Sequence, residues 1–170
     1  SKGLADSRLL AGGVAVITIP DIRWARPDIK SVSLLPNVLG KQQAKRAGAY
    51  EAWQVGRDGH VTEGTSSNAW IVMRSGGVAT HPADRSILNG VTRQGVLGLL
   101  ARERIALEER AFTVAEAKAA SECFLTSASN FILPVVRIDD APVAGGAVGA
   151  VTRRIAAAYA AYAKLGGQDR

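Results

Sequence analysis

The sequence predicts a strand-rich α+β domain in which helices pack on a mixed or antiparallel sheet. Three observations carry this. Strand-like runs of residues recur along the chain and meet at strong turn dipeptides. Helical periodicity is confined to a few segments between them. Hydrophobic residues make up 47% of a 170-residue chain, which suits one domain with a core of its own.

The elements follow in order. "GGVAVITIPDI" reads as a strand with Val14, Val16 and Thr18 on one face and Ala15, Ile17 and Ile19 on the other; both faces are largely apolar, so both are expected to be covered. "DIKSVSLL" alternates like a second strand, with Lys30, Val32 and Leu34 sharing a face. Pro36 sits near the start of a helix through "NVLGKQQAKRA", and Gly48 marks its end. "YEAWQVGRDGHVTEG" reads as a hairpin turning at Asp58-Gly59, and "NAWIVMRSGGVAT" as another turning at Ser75-Gly76-Gly77. The loop "HPADRSILNG" leads into a helix "VTRQGVLGLLARERIAL" whose buried stripe is Val96, Leu99, Leu100 and Leu107. "TVAE" is a capping box opening a short helix, "CFLTS" and "FILPVVRID" are strands, and residues 146–165 form an alanine-rich closing helix.

Composition narrows the function classes. The net charge is +6, but the Lys and Arg residues are scattered. Their densest cluster, "KQQAKR", carries no interleaved aromatics and reads as a solvated helix face rather than a nucleic-acid surface. An anionic small-molecule ligand accounts for part of the excess equally well. No apolar run reaches the length of a membrane span. "RLLAGGVAVITIP" reads as a strand rather than a signal peptide, because Gly12 and Gly13 break it and Pro20 stops it. The single Cys123 excludes an internal disulfide and suits a reducing, cytoplasmic compartment. His60 and His81 lack partners at metal spacing, so no metal site is expected, and neither a G-x-S-x-G nor a Walker motif occurs.

Four stretches could carry chemistry. Lys30 reads either as a lysine snorkelling from a strand edge or as an amine held among apolar neighbours, where desolvation favours the neutral nucleophile that condenses with an aldehyde. Glu63, in "TEGTSSN", lies in a cluster of turn formers; its carboxylate could be held by local hydroxyls and amides and pair with a buried cation such as a pyridinium. "ILNGVTRQ" enters a helix whose first amides, near Val91 and Thr92, lack intrahelical acceptors and favour an anion, and Gly90 permits close approach; many helices begin this way. "LTSASN" is a strand end running into small hydroxyl residues. An amine for an aldehyde, an acid for a ring nitrogen, and amides with hydroxyls for a phosphate are the main demands of pyridoxal phosphate.

The order of these pieces resembles the class IV (fold type IV) pyridoxal-phosphate aminotransferases, most of all the D-amino acid aminotransferases. The matching stretches are "DIRWARPDIKSVSLLPNVLGKQQAKRAGAYEA", "VTEGTSSNAWIV", "THPADRSILNGVTR", "FLTSASN" and "AVTRR". The resemblance implies the large, barrel-like C-terminal domain of that fold, with pyridoxal 5'-phosphate as cofactor. It implies that Lys30 forms the Schiff base and shuttles a proton, Glu63 binds the pyridine nitrogen, and Leu88 packs on the ring. It further implies that Val91 and Thr92 supply the phosphate-side amides and that Ser127 and Ala128 form a second phosphate-side pair. Ala128 departs from the family, where a hydroxyl is often found, and Asn130 and Phe131 depart from a Ser-Glu pair expected in some relatives; substrate preference is touched by this more than cofactor binding.

The implied activity is amino transfer between a D-amino acid and a 2-oxo acid, in a homodimer. Branched-chain aminotransferases and aminodeoxychorismate lyases share the fold and the Lys-Glu pair, and a non-enzymatic binding or assembly module is the alternative from another class. Family chains begin with a smaller α/β domain bearing an arginine for the phosphate, a tyrosine and a carboxylate trap. Residues 1–13 are therefore expected to be a remnant of the interdomain linker and residues 14–170 the cofactor-binding domain. Alone, this half is expected to bind cofactor weakly and turn over little.

Overall fold

A computed structural model describes residues 7–165 of the chain. Its strands are β1 (Val14–Pro20), β2 (Glu51–Val55), β3 (Val61–Gly64), β4 (Asn68–Val72), β5 (Val78–Thr80), β6 (Leu107–Glu109), β7 (Glu122–Ser127), β8 (Phe131–Ile138) and β9 (Ala141–Pro142). The α-helices are α1 (Ser7–Gly12), α2 (Leu35–Arg46), α3 (Val91–Arg102), α4 (Val114–Ala119) and α5 (Ala150–Leu165). All strands join one mixed sheet in the order β3-β2-β1-β8-β7-β4-β5-β6, with β9 paired to β8. The pairs β1/β2, β1/β8 and β5/β6 are parallel and the others antiparallel.

The sheet is strongly curled, and connectivity alone requires it. β3 is an edge strand, yet Thr65–Ser67 carries the chain straight from β3 into β4, which lies beyond β2, β1, β8 and β7 in the sheet. A three-residue link spans about 10 Å, so these distant sheet positions must meet. Alternation along each strand then sorts the core into two layers. Ile71, Cys123, Leu125, Leu133 and Val135 join Val16, Trp53 and Phe112 on one face. Trp70, Val72, Phe124 and Ile132 turn to the other, under Val96 and Leu100 of α3 and Ile155 and Tyr159 of α5. Trp70 and Phe124 stack at 5.3 Å between centroids, on neighbouring strands in register.

Local expectations hold at both hairpins, whose turn glycines Gly59 and Gly76 take φ of 83° and 84°. The Thr113–Glu116 capping box forms with both reciprocal bonds. Pro36 lies in the first turn of α2, as its fixed φ allows.

Three elements differ from expectation. "DIKSVSLL" is not a strand: residues 22–34 form an irregular loop with local bonds such as Ile29 N–H to the Arg26 carbonyl and Leu34 N–H to the Val32 carbonyl. Beside β1 both ladder positions are taken by β2 and β8, so the loop's alternation has no partner strand there. The third helix ends at Arg102 rather than running on; Arg104 turns at φ 54°, and Leu107 sits in β6, bonded parallel to β5. The closing helix starts at Ala150, after a 3₁₀ turn at Ala144–Gly146. Of the linker residues 1–13, Ser7–Gly12 form α1, while residues 1–6 lie outside the described residues, as do 166–170 of the expected domain. Among the described residues no helix is long and apolar enough to cross a membrane.

Candidate active site

Where the curled sheet brings β3 to β4, one cleft of about 540 Å³ opens. Five chain segments build it: the loop ahead of α2, one face of α2 itself (Asn37, Val38 and Lys41), the end of β3 with the β3–β4 turn, the entry to α3, and the end of β7. All seven residues singled out in the sequence, Lys30, Glu63, Leu88, Val91, Thr92, Ser127 and Ala128, line it.

Glu63, on β3, is buried and held by the side chains of Arg23 and Asn68 and by the backbone amide of Leu88. Its Oε1 accepts from the Leu88 N–H at 3.0 Å and from Arg23 Nη1, and its Oε2 accepts from Asn68 Nδ2 at 2.9 Å. The Asn68 amide also donates to the Leu88 carbonyl at 2.8 Å, so one loop residue is clasped at both ends. Burial pushes the Glu63 carboxyl up to about 7, against the pull of the Arg23 charge and the Leu88 amide.

Arg23 was not singled out from the sequence, yet it organises this side of the cleft. Its side chain is only 4% exposed. It grips Asp21 with Nε at 2.9 Å and Nη2 at 2.6 Å, reaches Glu63, and donates to Thr62 Oγ1 at 3.2 Å and the Ser86 carbonyl at 2.9 Å. Burial acts to raise the Asp21 pKa, but the Arg23 and Thr62 bonds outweigh it and hold that carboxyl below its usual value. The signal was a charged D-x-R pair, common on solvated surfaces; only the fold shows that it faces inward.

Two expectations about side-chain surroundings are corrected. The small hydroxyls of Thr65, Ser66 and Ser67 do not hold Glu63; all three donate to Glu51 at the start of β2. The buried cation that Glu63 meets within the chain is Arg23. Lys30, in turn, is exposed on the cleft wall beside Pro27, Ile29 and Ser31, rather than enclosed by apolar neighbours. It rides on the loop that failed to become a strand, which leaves its amine reachable from the cleft.

The opposite wall is the start of α3. Gly90 caps it in an extended conformation with no side-chain cap bond. A Cβ at Gly90 would lie 2.6 Å from Asn68 Oδ1, so a side chain there would push on the residue that holds Glu63. Thr92 is buried and its hydroxyl donates to the Ser127 carbonyl at 3.0 Å, tying the helix entry to the end of β7. Val91 and Ala128 are exposed at the mouth, and Leu88 is half-buried between the two walls. Chemically, the cleft combines an accessible amine, an acid balanced between its two forms, and a helix entry with free amides.

The family described as amino-transferase class IV matches residues 6–138. The chain is 45% identical over 143 residues to the D-alanine aminotransferase of Bacillus licheniformis, covering 84% of this chain and 50% of that protein. It is 42% identical over 153 residues to the D-alanine aminotransferase of Staphylococcus epidermidis, covering 90% and 54%. The chain thus spans about half the length of these curated relatives. Among solved structures, the branched-chain amino acid aminotransferase of Thermobaculum terrenum in its PLP form superposes with a TM-score of 0.81 at 27% identity, over 93% of this chain and 53% of that one.

Proposed function

We propose, from the premise that the chain belongs to the amino-transferase class IV family, that its residues 14–170 are the cofactor-holding domain of a pyridoxal-phosphate-dependent aminotransferase. The reaction is amino transfer between a D-amino acid and a 2-oxo acid. The observation that carries the reading is the single cleft lined by Lys30, Glu63 and the α3 entry together.

The residues present fit the cofactor. A carboxylate offers about four lone-pair directions, and Glu63 spends three, on Arg23, Leu88 and Asn68; one remains for the N–H of a protonated ring. The helix entry and the end of β7 offer donors for a phosphate, and Lys30 offers an amine for an aldehyde. When bound, pyridoxal phosphate supplies an aldehyde that condenses with amines and an electron-poor ring that stabilises charge at the substrate carbon.

The chain's own groups do the rest. Lys30 anchors the cofactor, then takes a proton from the substrate Cα and delivers one on the cofactor side. Glu63 meets a ring cation as the carboxylate, which lowers its pKa from about 7 and releases a proton on binding. Arg23 keeps that carboxylate from repelling Asp21 when both are ionised. The Thr92–Ser127 bond holds the phosphate side rigid.

The named relatives favour the D-amino acid reading, at 45% against 27% identity for the branched-chain structure. Ile22, Trp24, Val32, Leu35, Val38 and Leu39 are exposed along the loop and α2, with Val32 at 96%, which supports burial of this face in a homodimer. The test is D-alanine with 2-oxoglutarate, assayed in the whole protein. Pyruvate and D-glutamate formation supports the proposal. Turnover of L-leucine with none of D-alanine, or pyruvate release from aminodeoxychorismate without an amino acceptor, overturns it.

A further inference from the structure

Glu51 is buried, is 21 residues past Lys30, and takes no part in the chemistry above. It is nonetheless the acceptor for most of the β3–β4 turn. Its Oε1 accepts from the Thr65 hydroxyl and from its neighbour Ala52 N–H at 2.9 Å. Its Oε2 accepts from the Ser66 hydroxyl at 3.0 Å, the Ser66 N–H at 3.3 Å and the Ser67 hydroxyl at 3.1 Å. Lys41 Nζ lies 3.6 Å away, itself fixed by a 2.6 Å bond to the Tyr50 carbonyl. Every hydroxyl of the turn thus converges on one carboxyl.

That turn joins the two residues that matter most to the clasp. Glu63 lies just before it, separated by Gly64 alone, and Asn68 immediately follows it. Backbone pins exist, from Gly64 N–H to the Ser67 carbonyl at 2.7 Å and from Thr65 N–H to the Ala52 carbonyl at 3.1 Å. Asn37, on α2, adds a bond from its amide to the Thr65 carbonyl at 2.8 Å. These fix the backbone at Gly64 and Thr65, but only the Gly64 bond reaches Ser67, and Ser66 is exposed to the cleft. The side chains of Ser66 and Ser67 are held by Glu51, just before the chain delivers Asn68 to the Glu63 carboxyl.

We propose that Glu51 is a positioning residue for Glu63: by gathering the Thr65, Ser66 and Ser67 hydroxyls it fixes the turn so that the Asn68 amide stays on the Glu63 carboxyl and the Leu88 carbonyl. The proposal rests on the reading of Glu63 as the acid that meets the cofactor ring. Its structural part, the coupling of Glu51 to the clasp, stands apart from that reading and is tested apart from it. The charged groups facing this network are Lys41 at Glu51, and Arg23 and Asp21 at Glu63.

The experiment compares the whole protein with its Glu51→Gln, Glu51→Asp and Glu122→Gln variants. Glu122 is the control: it caps α5 by accepting from Val151 N–H and Thr152 N–H, away from the cleft. Amide hydrogen exchange is read first, without cofactor. Glu51→Gln is expected to speed exchange at Ser66 and Leu88 about tenfold, the loss of one net hydrogen bond, and to leave the β7–β8 ladder unchanged. Glu122→Gln is expected to lower thermal stability and leave Ser66 and Leu88 unchanged. Uniform acceleration across the sheet, or an unchanged Leu88, overturns the proposal.

Pyridoxal phosphate affinity is read second, with about a tenfold loss expected in Glu51→Gln and recovery in Glu51→Asp; a loss as large in Glu122→Gln overturns the positioning role. If the wild-type protein takes up no pyridoxal phosphate, the functional reading fails, while the exchange result still decides the role of Glu51. Should Glu51→Gln not fold, Ser66→Ala, at an exposed position, is read instead: faster exchange at Leu88 supports the proposal and none overturns it.

Discussion

Replacing Arg23 by Met removes the cation from between the buried Glu63 carboxyl and the half-buried Asp21 carboxyl while keeping most of the side chain's bulk. In the wild type, Asp21, Arg23 and Glu63 have side chains that are 13%, 4% and 7% exposed, so solvent screens the pairs little. Breaking a buried pair from one side costs about 3–5 kcal/mol, because the remaining charge is left uncompensated. That cost depends on pH. Arg23 pulls the Glu63 pKa down against burial, so its removal raises the folded-state value above about 7. A raised carboxyl contributes stability that is fully present below the unfolded value and is lost as pH rises through the folded one. At pH 5 the Glu63 of the variant is protonated and only Asp21 has lost its partner. At pH 8 both carboxyls face each other ionised, or Glu63 holds its proton at a cost. Urea unfolding followed by the fluorescence of the buried Trp53 and Trp70 reads the difference. The expected loss is about 3–5 kcal/mol at pH 8 and about 1–2 kcal/mol at pH 5. A loss under about 1 kcal/mol, or one equal at both pH values, refutes the reasoning.

Other consequences follow from the same geometry. The Glu63 shift from 4.5 to about 7 should remove up to about 3 kcal/mol of stability as pH rises through that window, and Glu63→Gln should flatten this part of the stability–pH curve in calorimetry. Gly40→Ala should destabilise by about 1–3 kcal/mol, since a Cβ there would meet Ile19 Cδ1 at 2.5 Å and Thr65 Cγ2 at 2.9 Å; a thermal melt equal to wild type contradicts this. Thr113→Ala should cost about 1 kcal/mol by removing the Thr113 bond to Glu116 N–H, measured by urea midpoint.

Local rules made much of this fold legible. Hairpins announced by Asp58-Gly59 and Ser75-Gly76, the Pro36 helix start and the Thr113 capping box are decided by a few adjacent residues, and each formed as read. The "DIKSVSLL" alternation misled because a strand needs a free neighbour, and that information lies in the β2 and β8 segments flanking β1, not in the run itself. Leu107 continued a helical stripe in spacing, but the chain turns left-handed at Arg104 before reaching it. At the site, the seven residues drawn from the motifs share one cleft. Arg23 and Glu51 were hidden because their partners are distant in sequence: Arg23 meets Glu63 across 40 residues, and Glu51 meets the Thr65–Ser67 hydroxyls across the hairpin; Asn68 lies in the TEGTSSN stretch itself, five residues from Glu63. Single-sequence patterns carry no trace of such pairings.

Lys30 as the cofactor anchor is the claim on which the functional reading stands. The direct measurement is borohydride reduction of the whole protein after incubation with pyridoxal phosphate, followed by peptide mapping. The expected result is one phosphopyridoxyl group on the peptide carrying Lys30, absent in Lys30→Ala. Label distributed over Lys41, Lys45 and Lys118 with none at Lys30, or equal labelling of the Lys30→Ala variant, would contradict it.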